Sequence, residues 1–376
     1  MGQSLQEIIG SYNAAAPLDE TYTIPAPWYV DTRVADLERQ SVFGRSWQVV
    51  GRTDEVTAPG SYLTTEVAGE PVVVVRGNDG VLRAFFNVCR HHAAAVMTEP
   101  CGKAEHLRCP YHGWTYGLDG ALKGMTEFEG VVNFDRANNG LMPVQVDTWE
   151  KFVFVNLDPD AAKLRDFLGG LARVVEPLEL GALHFLDRRE YILNCNWKVY
   201  VDNYLDGGYH VPHMHKSLNS VIDYKEYKIR TEDRFCEQSS PMRPENASDA
   251  VTGATRRGER TYYLWQYPNF MINWYEGVMD TNLVLPLGVD RCRVIFDFYF
   301  AQTDEASKHR NHQSIEVTGR VQDEDEAVCV SVQRGLKSRA YVAGRLSVRR
   351  ETGEHLFHRL LHADLNGELA AALAAD

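Results

Sequence analysis

Two short Cys/His clips constrain this chain more than any other feature. Cys89-x-His91 and, seventeen residues later, Cys109-x2-His112 lie within "CRHHAAAVMTEPCGKAEHLRCPYHGW". Each clip offers one thiolate and one imidazole on its own loop. Two such pairs suit a structural zinc ion, or a [2Fe–2S] cluster with cysteines on one iron and histidines on the other. Zinc sites more often begin with two cysteines separated by two to four residues, and a single intervening residue is cramped for that loop. The glycine and aromatics of "YHGWTY" suit a second loop folded tightly over a cluster. The cluster is the favoured reading and zinc the alternative.

The clips sit in a region of period two. "SYLTTEVAGEPVVVVRGNDGVLRAFFNV" holds three β runs, the last two joined by the hairpin-type turn "GNDG", and "KFVFVNLDPD" closes the block near residue 160. An irregular leader and the helical "VADLERQSVFGRSW" precede it. Helical patterns resume at "AAKLRDFLGGLARVV". Strands are expected at "RREYILNCNW", "YYLWQYPNFMINWY", "NLVLPLG" and "CRVIFDFYF", then a long charged helix from near Asp304 past Gln333. The 376 residues thus read as α+β, an all-β module with a larger domain of mixed helices and strands.

The net charge of −13 argues against a nucleic-acid partner, which needs a basic face, and is compatible with a cationic substrate. No apolar run reaches the roughly 18 residues of a membrane span. The start "MGQSLQEIIG" lacks a secretory pattern, and Gln6 stands where a myristoylation site needs Ser or Thr. Seven cysteines, odd in number and mostly isolated, point to a reducing compartment, the cytoplasm.

A second constellation is "YLDGGYHVPHMH", Tyr204 to His215, with three histidines and an aspartate. His210 and His213 would share a face of a regular helix, but Pro212 argues against one there. Farther on, "VQDEDEAVCVSVQRGL" carries four acids on a helical pattern, ordinarily a solvated face.

The segment holding the clips resembles the Rieske motif, which implies Cys89, His91, Cys109 and His112 as [2Fe–2S] ligands. His92 falls outside the motif. Cys101 has no second extra cysteine to pair with, as in the lower-potential Rieske proteins of oxygenases. The run "NWK…DN…D…YH…H" resembles the α-subunit of Rieske non-haem iron oxygenases. That resemblance implies a mononuclear Fe(II) held by His210, His215 and Asp325, with Asp323 and Glu324 as competitors of Asp325. A helix broken at Pro212 would swing His215 back toward His210 and leave His213 as a neighbour, lining the pocket or packing at the surface. It also implies an acid bridging electrons between subunits of a homotrimer, Asp206 first and Asp202 second. Aromatic-ring oxygenases place this acid three positions ahead of the first histidine, where Gly207 stands here, so a helix-capping role for Asp206 competes. The implied domains are an N-terminal segment (1–44) packed on the catalytic domain, an all-β Rieske domain (45–160) and a helix-grip catalytic domain (161–376), an antiparallel sheet with helices.

The resemblance is closest to the choline monooxygenase branch, through "DNYLDGGYHVP" and "YPNFMINWYEGVMDTNLVLPLG". It implies O2-dependent hydroxylation of a small quaternary ammonium compound such as choline, giving betaine aldehyde hydrate. Electrons would come from a ferredoxin or a flavin/iron–sulfur reductase. Alternatives are N-demethylation of a betaine-like compound, aromatic-ring hydroxylation, and a non-catalytic electron carrier. A quaternary ammonium cannot donate a hydrogen bond, so aromatic faces must recognise it. Trp265, Tyr267, Phe270, Trp274 and Tyr275 are the expected cage and Glu276 the counter-charge, with sheet core as the competing role for these aromatics.

Overall fold

A computed structural model of the chain describes residues 3–375. It divides into two compact units: Arg39–Phe167, and the flanking segments, which fold together up to Glu38 and from Leu168 onward. The divisions implied by the resemblance are 44/45 and 160/161. Residues 161–167 stay with the β unit, where the Trp47 indole donates to the Ala162 carbonyl at 2.8 Å.

The first unit contains β1 (Gln48–Arg52), β2 (Ser61–Val67), β3 (Glu70–Arg76), β4 (Leu82–Phe86), β5 (Cys101–Lys103), β6 (Leu107–Arg108), β7 (Thr115–Tyr116), β8 (Leu122–Gly124), β9 (Pro143–Trp149) and β10 (Phe152–Asn156). Seven of these form an antiparallel sheet in the order β1-β10-β9-β4-β3-β2-β5, and β6-β7-β8 form a small second sheet. Four consecutive valines in β3 explain the layering. Successive strand residues face opposite ways, so a fully apolar run needs cover on both sides. Val72 and Val74 pack with Leu63, Val153 and Val155. Val73 and Val75 pack on the other face with Phe85, Leu107, Trp114, Tyr116 and both clip cysteines. Burying each valine stabilises the unit by about 1.5–3 kcal/mol.

The second unit has one seven-stranded antiparallel sheet. Its strands are β11 (His184–Leu193), β12 (Lys228–Glu232), β13 (Phe235–Pro241), β14 (Arg260–Gln266), β15 (Phe270–Tyr275), β16 (Val278–Gly288) and β17 (Arg291–Phe300), ordered β11-β17-β16-β15-β14-β13-β12. The edge strand β12 and its neighbour β13, "KIRTE" and "FCEQSSP", were not expected from the sequence, because their polar composition hides any alternation. The helix Trp197–Leu205 packs on β16 and β17, and the long helix Glu305–Leu336 packs on that helix in turn. Asp304 caps the long helix by accepting from the Ser307 amide at 2.9 Å. The expected α+β class is therefore observed. Among the described residues no helix is long and apolar enough to cross a membrane.

The stretch "NWK" is a buried anchor. Asn196 caps the helix by accepting from the Lys198 amide, and its own amide donates to the carbonyls of Tyr29 and Val289. Lys198, with no exposed surface, meets Glu38 at 2.6 Å, and Glu38 also accepts from the Trp197 indole at 2.8 Å. Tyr29 and Glu38 of the N-terminal segment thereby fix the helix that carries Asp202, Asn203 and Tyr204.

Candidate metal centres and active site

The two clips are copies of one turn. In the first, the Cys89 amide donates to the Ala94 carbonyl and the Ala93 amide returns to Cys89; in the second, Cys109 and Trp114, then Gly113 and Cys109, make the same pair of bonds. The fifth residue of each turn is left-handed, with φ +59° at Ala93 and +72° at Gly113. Both thiols are buried, with Cys89 Sγ 3.4 Å from the Tyr116 hydroxyl. The rings of His91 and His112 lie 4.8 Å apart, His91 stacks on Trp114, and His91 Nδ1 is buried without a hydrogen-bond partner. Two inward thiols and two outer imidazoles, one with an orphaned nitrogen, fit a cluster with sulfur on one iron and nitrogen on the other. His92 is exposed beside this set, and Cys101 is exposed on β5.

The second site forms where a helix is interrupted. After Trp197–Leu205 the chain turns at Gly207 and Gly208, with φ of +69° and +67°. A side chain on Gly207 would run into the Arg350 carbonyl. The expected break at Pro212 is corrected. Pro212 lies in the first turn of the short helix Val211–Met214, where its missing N–H costs nothing. The chain departs from helix at His215 instead, with φ −98° and ψ +69°. His210 and His215 therefore bracket one helical turn, their rings 4.8 Å apart and nearly perpendicular.

Asp325 reaches this pair from the long helix. Its Oδ1 is 3.1 Å from His215 Nε2 and 3.8 Å from His210 Nε2, and it accepts from the Asn203 amide at 2.8 Å. One ligand atom from each of His210, His215 and Asp325 lies within 4.8 Å of the others, so the three can hold one metal ion. Two imidazoles and a carboxylate on one face leave other coordination positions open, as non-haem Fe(II) sites require. Each ring carries a carboxylate on its outer nitrogen. Asp206 Oδ2 lies 2.6 Å from His210 Nδ1, and Glu324 Oε2 lies 2.6 Å from His215 Nδ1. Such partners fix which nitrogen faces the metal. Burial opposes charge on His215, but the Asp325 and Glu324 carboxylates outweigh it and raise its pKa.

The structure separates the competing acids. Glu324 supports a ring from outside, Asp323 is exposed, and Asp325 points between the rings. Asp206 does two things at once, accepting from the Tyr209 and His210 amides as a cap and holding the His210 ring. The tight glycine turn lets an acid four positions ahead make that contact. Asp202 is engaged elsewhere, with the Tyr29 hydroxyl at 2.6 Å and His358 Nε2 at 3.0 Å.

Beside His210, His215 and Asp325 opens a cavity whose wall corrects most of the expected cage. Tyr275 lines it, but the other six candidates do not. Trp265 shares the face of Tyr263 but lies farther along β14, packed on Phe357 at 5.7 Å. Phe270 and Trp274 alternate with Asn273 and Tyr275 on β15 and so face away; Trp274 packs on Tyr262. Tyr267 sits in the turn after β14 and donates to Asp364 at 2.7 Å. Glu276 lies in an exposed turn, and His213 is exposed. The aromatic wall consists instead of Tyr200, Tyr204, Tyr227, Tyr263, Tyr275 and Phe296. Tyr200, Asn203 and Tyr204 have the i, i+3, i+4 spacing of one helical face, a signal present in the sequence. Tyr227 reaches the cavity from a loop, which no local pattern announces.

The chain matches two family descriptions, "Rieske [2Fe-2S] domain" over residues 46–135 and "Ring hydroxylating alpha subunit (catalytic domain)" over residues 180–366. It is 37% identical over 372 residues to the chloroplastic choline monooxygenase of Arabidopsis thaliana, spanning 96% of this chain and 87% of that one. It is 34% identical over 333 residues to the carnitine monooxygenase oxygenase subunit of Escherichia coli K12, spanning 88% of each. A quaternary ammonium Rieske monooxygenase crystallised with its substrate L-carnitine superimposes with a TM-score of 0.80 at 28% identity, over 97% of this chain and 99% of the other. Naphthalene 1,2-dioxygenase from Rhodococcus sp. shares the fold, with a TM-score of 0.77 at 21% identity over 92% of this chain and 95% of the other.

Proposed function

The chain belongs to the Rieske non-haem iron oxygenases, and on that footing we propose that it is a monooxygenase acting on a small quaternary ammonium compound. Choline, hydroxylated to betaine aldehyde hydrate, is one substrate reading. A betaine-like compound that loses a methyl group as formaldehyde is the other. The observation that carries the proposal is the wall of tyrosines in the same cavity as His210, His215 and Asp325. An aromatic face attracts a cation that offers no hydrogen bond, worth about 0.5–2 kcal/mol per ring. The relatives' named activities support the same substrate class.

When bound, the cluster supplies electrons one at a time and the ferrous iron supplies activated dioxygen. In this reading Cys89, His91, Cys109 and His112 hold the cluster, and His210, His215 and Asp325 hold the iron. Glu324 and Asp206 keep the two imidazoles oriented through their Nδ1 atoms. Asp206 also serves as the electron bridge, since it bonds directly to a ring that ligates the iron. In a homotrimer its other partner would belong to a neighbouring copy. Asp202, tied to Tyr29 and His358, positions the helix instead. Tyr204, held by Asn273 at 2.8 Å, and Tyr263, bonded to Tyr275 at 3.0 Å, present fixed ring faces to the substrate. A ferredoxin or flavin/iron–sulfur reductase completes the electron supply. A cytoplasmic location is the reading supported by the five cysteines outside the two clips, none of them paired in a disulfide.

Oxygen uptake by the reduced enzyme across a panel of methylated amines tests the class. The expected result is consumption stimulated by quaternary ammonium compounds and not by naphthalene. Uptake stimulated only by the aromatic hydrocarbon would overturn it. Asp206→Asn should retain the mononuclear iron while slowing cluster reoxidation in a single turnover. Unchanged reoxidation would remove Asp206 as the bridge.

A further inference from the structure

The cavity wall holds a buried guanidinium with no acid paired to it. Arg256, 3% exposed, follows the helix Ala250–Thr255 and lines the cavity. Its Nη1 donates to Ser314 Oγ at 2.6 Å, and its Nη2 to Thr318 Oγ1 at 2.7 Å and the Ser314 carbonyl at 3.4 Å. Its Cζ lies 4.6 Å over the Tyr275 ring. All these partners are neutral, and among the described residues no carboxylate oxygen lies within ion-pairing distance of it. The acid next in line, Asp280, is reached only through the shared Thr318 hydroxyl, 3.4 Å from Asp280 Oδ1. Burial pushes the Asp280 carboxyl up, against the pull of Arg256, and its other oxygen is taken by the Asn273 amide at 2.7 Å. An unpaired buried charge is costly, and arginine pairs most strongly with a carboxylate.

The long helix acts as a ruler between this cation and the iron site. Thr318 lies two turns before Asp325, about 10 Å along the axis at 1.5 Å per residue. Glu324 and Asp325 line the cavity at the iron site, and Arg256 lines it two helical turns away beside Asp280, with Arg320 a second, exposed guanidinium on the lining. Arg256 covers one face of Tyr275 and Arg350 lies 5.8 Å over Tyr227, so among the described residues the wall rings with no protein cation over them are Tyr200, Tyr204, Tyr263 and Phe296.

We infer that the cavity selects a zwitterion, a methylated ammonium seated among the tyrosines with its own carboxylate paired to Arg256. This rests on the quaternary ammonium reading above and decides within it, for a betaine-like compound and against choline.

Calorimetric titration of the iron-loaded enzyme tests it without relying on turnover. The probes are tetramethylammonium, choline, plain acetate, and trimethylammonium carboxylates with one- to three-carbon spacers. At least one zwitterion should bind roughly 10- to 100-fold more tightly than choline, the range expected of a charge-assisted hydrogen bond. Arg256→Gln should erase that advantage and leave tetramethylammonium binding unchanged. Arg256→Lys, which keeps the charge, should retain part of it. Choline binding as tightly as the best zwitterion in the wild-type enzyme would overturn the inference even if neither variant folds. So would an equal loss of tetramethylammonium and zwitterion in Arg256→Gln. Acetate binding with no response to any ammonium compound would instead sink the tyrosine cage itself, and this inference with it.

Discussion

In the β unit all four candidate ligands come from 24 contiguous residues, on two loops that repeat one turn. In the second unit His210 and Asp325 stand more than a hundred residues apart and meet only because the long helix packs on the Trp197–Leu205 helix. The first centre is built by local backbone geometry, so residue spacing announces it. The second is built by tertiary packing, and its supports extend to Glu38 and Lys198. Loss of a distant residue should therefore damage the second centre and spare the first.

Cys109→Ser should produce the largest effect, abolishing the cluster while leaving the mononuclear iron. Iron analysis with visible absorption checks this, and loss of both irons together would break the contrast. Next comes Lys198→Met, which strands the Glu38 carboxylate in the interior. Removing one partner of a buried pair costs about 3–5 kcal/mol. Denaturant melts should show that loss in the second unit, with the cluster spectrum retained. Adding Glu38→Gln should recover part of it. Glu324→Gln removes the group that orients His215 and should weaken iron binding roughly 10- to 100-fold. Iron titration of the metal-depleted protein measures it. Smallest is the pair Tyr263→Leu and Trp274→Leu. The first should weaken ammonium binding by about 0.5–2 kcal/mol and the second should leave it unchanged, because only Tyr263 faces the cavity.

The same contrast explains what the sequence disclosed. The α+β class, the long helix from Asp304 and the two-loop clip were legible because period and spacing are local properties. The trio of His210, His215 and Asp325 came from family resemblance, since a run of acids on a helix does not reveal which one turns inward. Aromatic cage residues were misplaced because strand composition marks burial but not face. Tyr275, in the wall, and Trp274, behind it, are adjacent residues. Curvature and cover then decide along a single face, so Trp265 went under Phe357 of the helix Thr352–Ala375 while Tyr263 stayed in the cavity. Arg256 gave no signal, being one of two adjacent arginines in a segment without periodicity.

The proposed chemistry needs two separate iron centres in one chain, the second held by the acid that the long helix delivers. Iron content of wild type and Asp325→Ala, read beside the reduced-cluster paramagnetic resonance spectrum, tests this most directly. The wild type should hold about three irons per chain and the variant about two, with the cluster signal unaltered. Three irons persisting in Asp325→Ala, or zinc in place of the cluster iron, would contradict it.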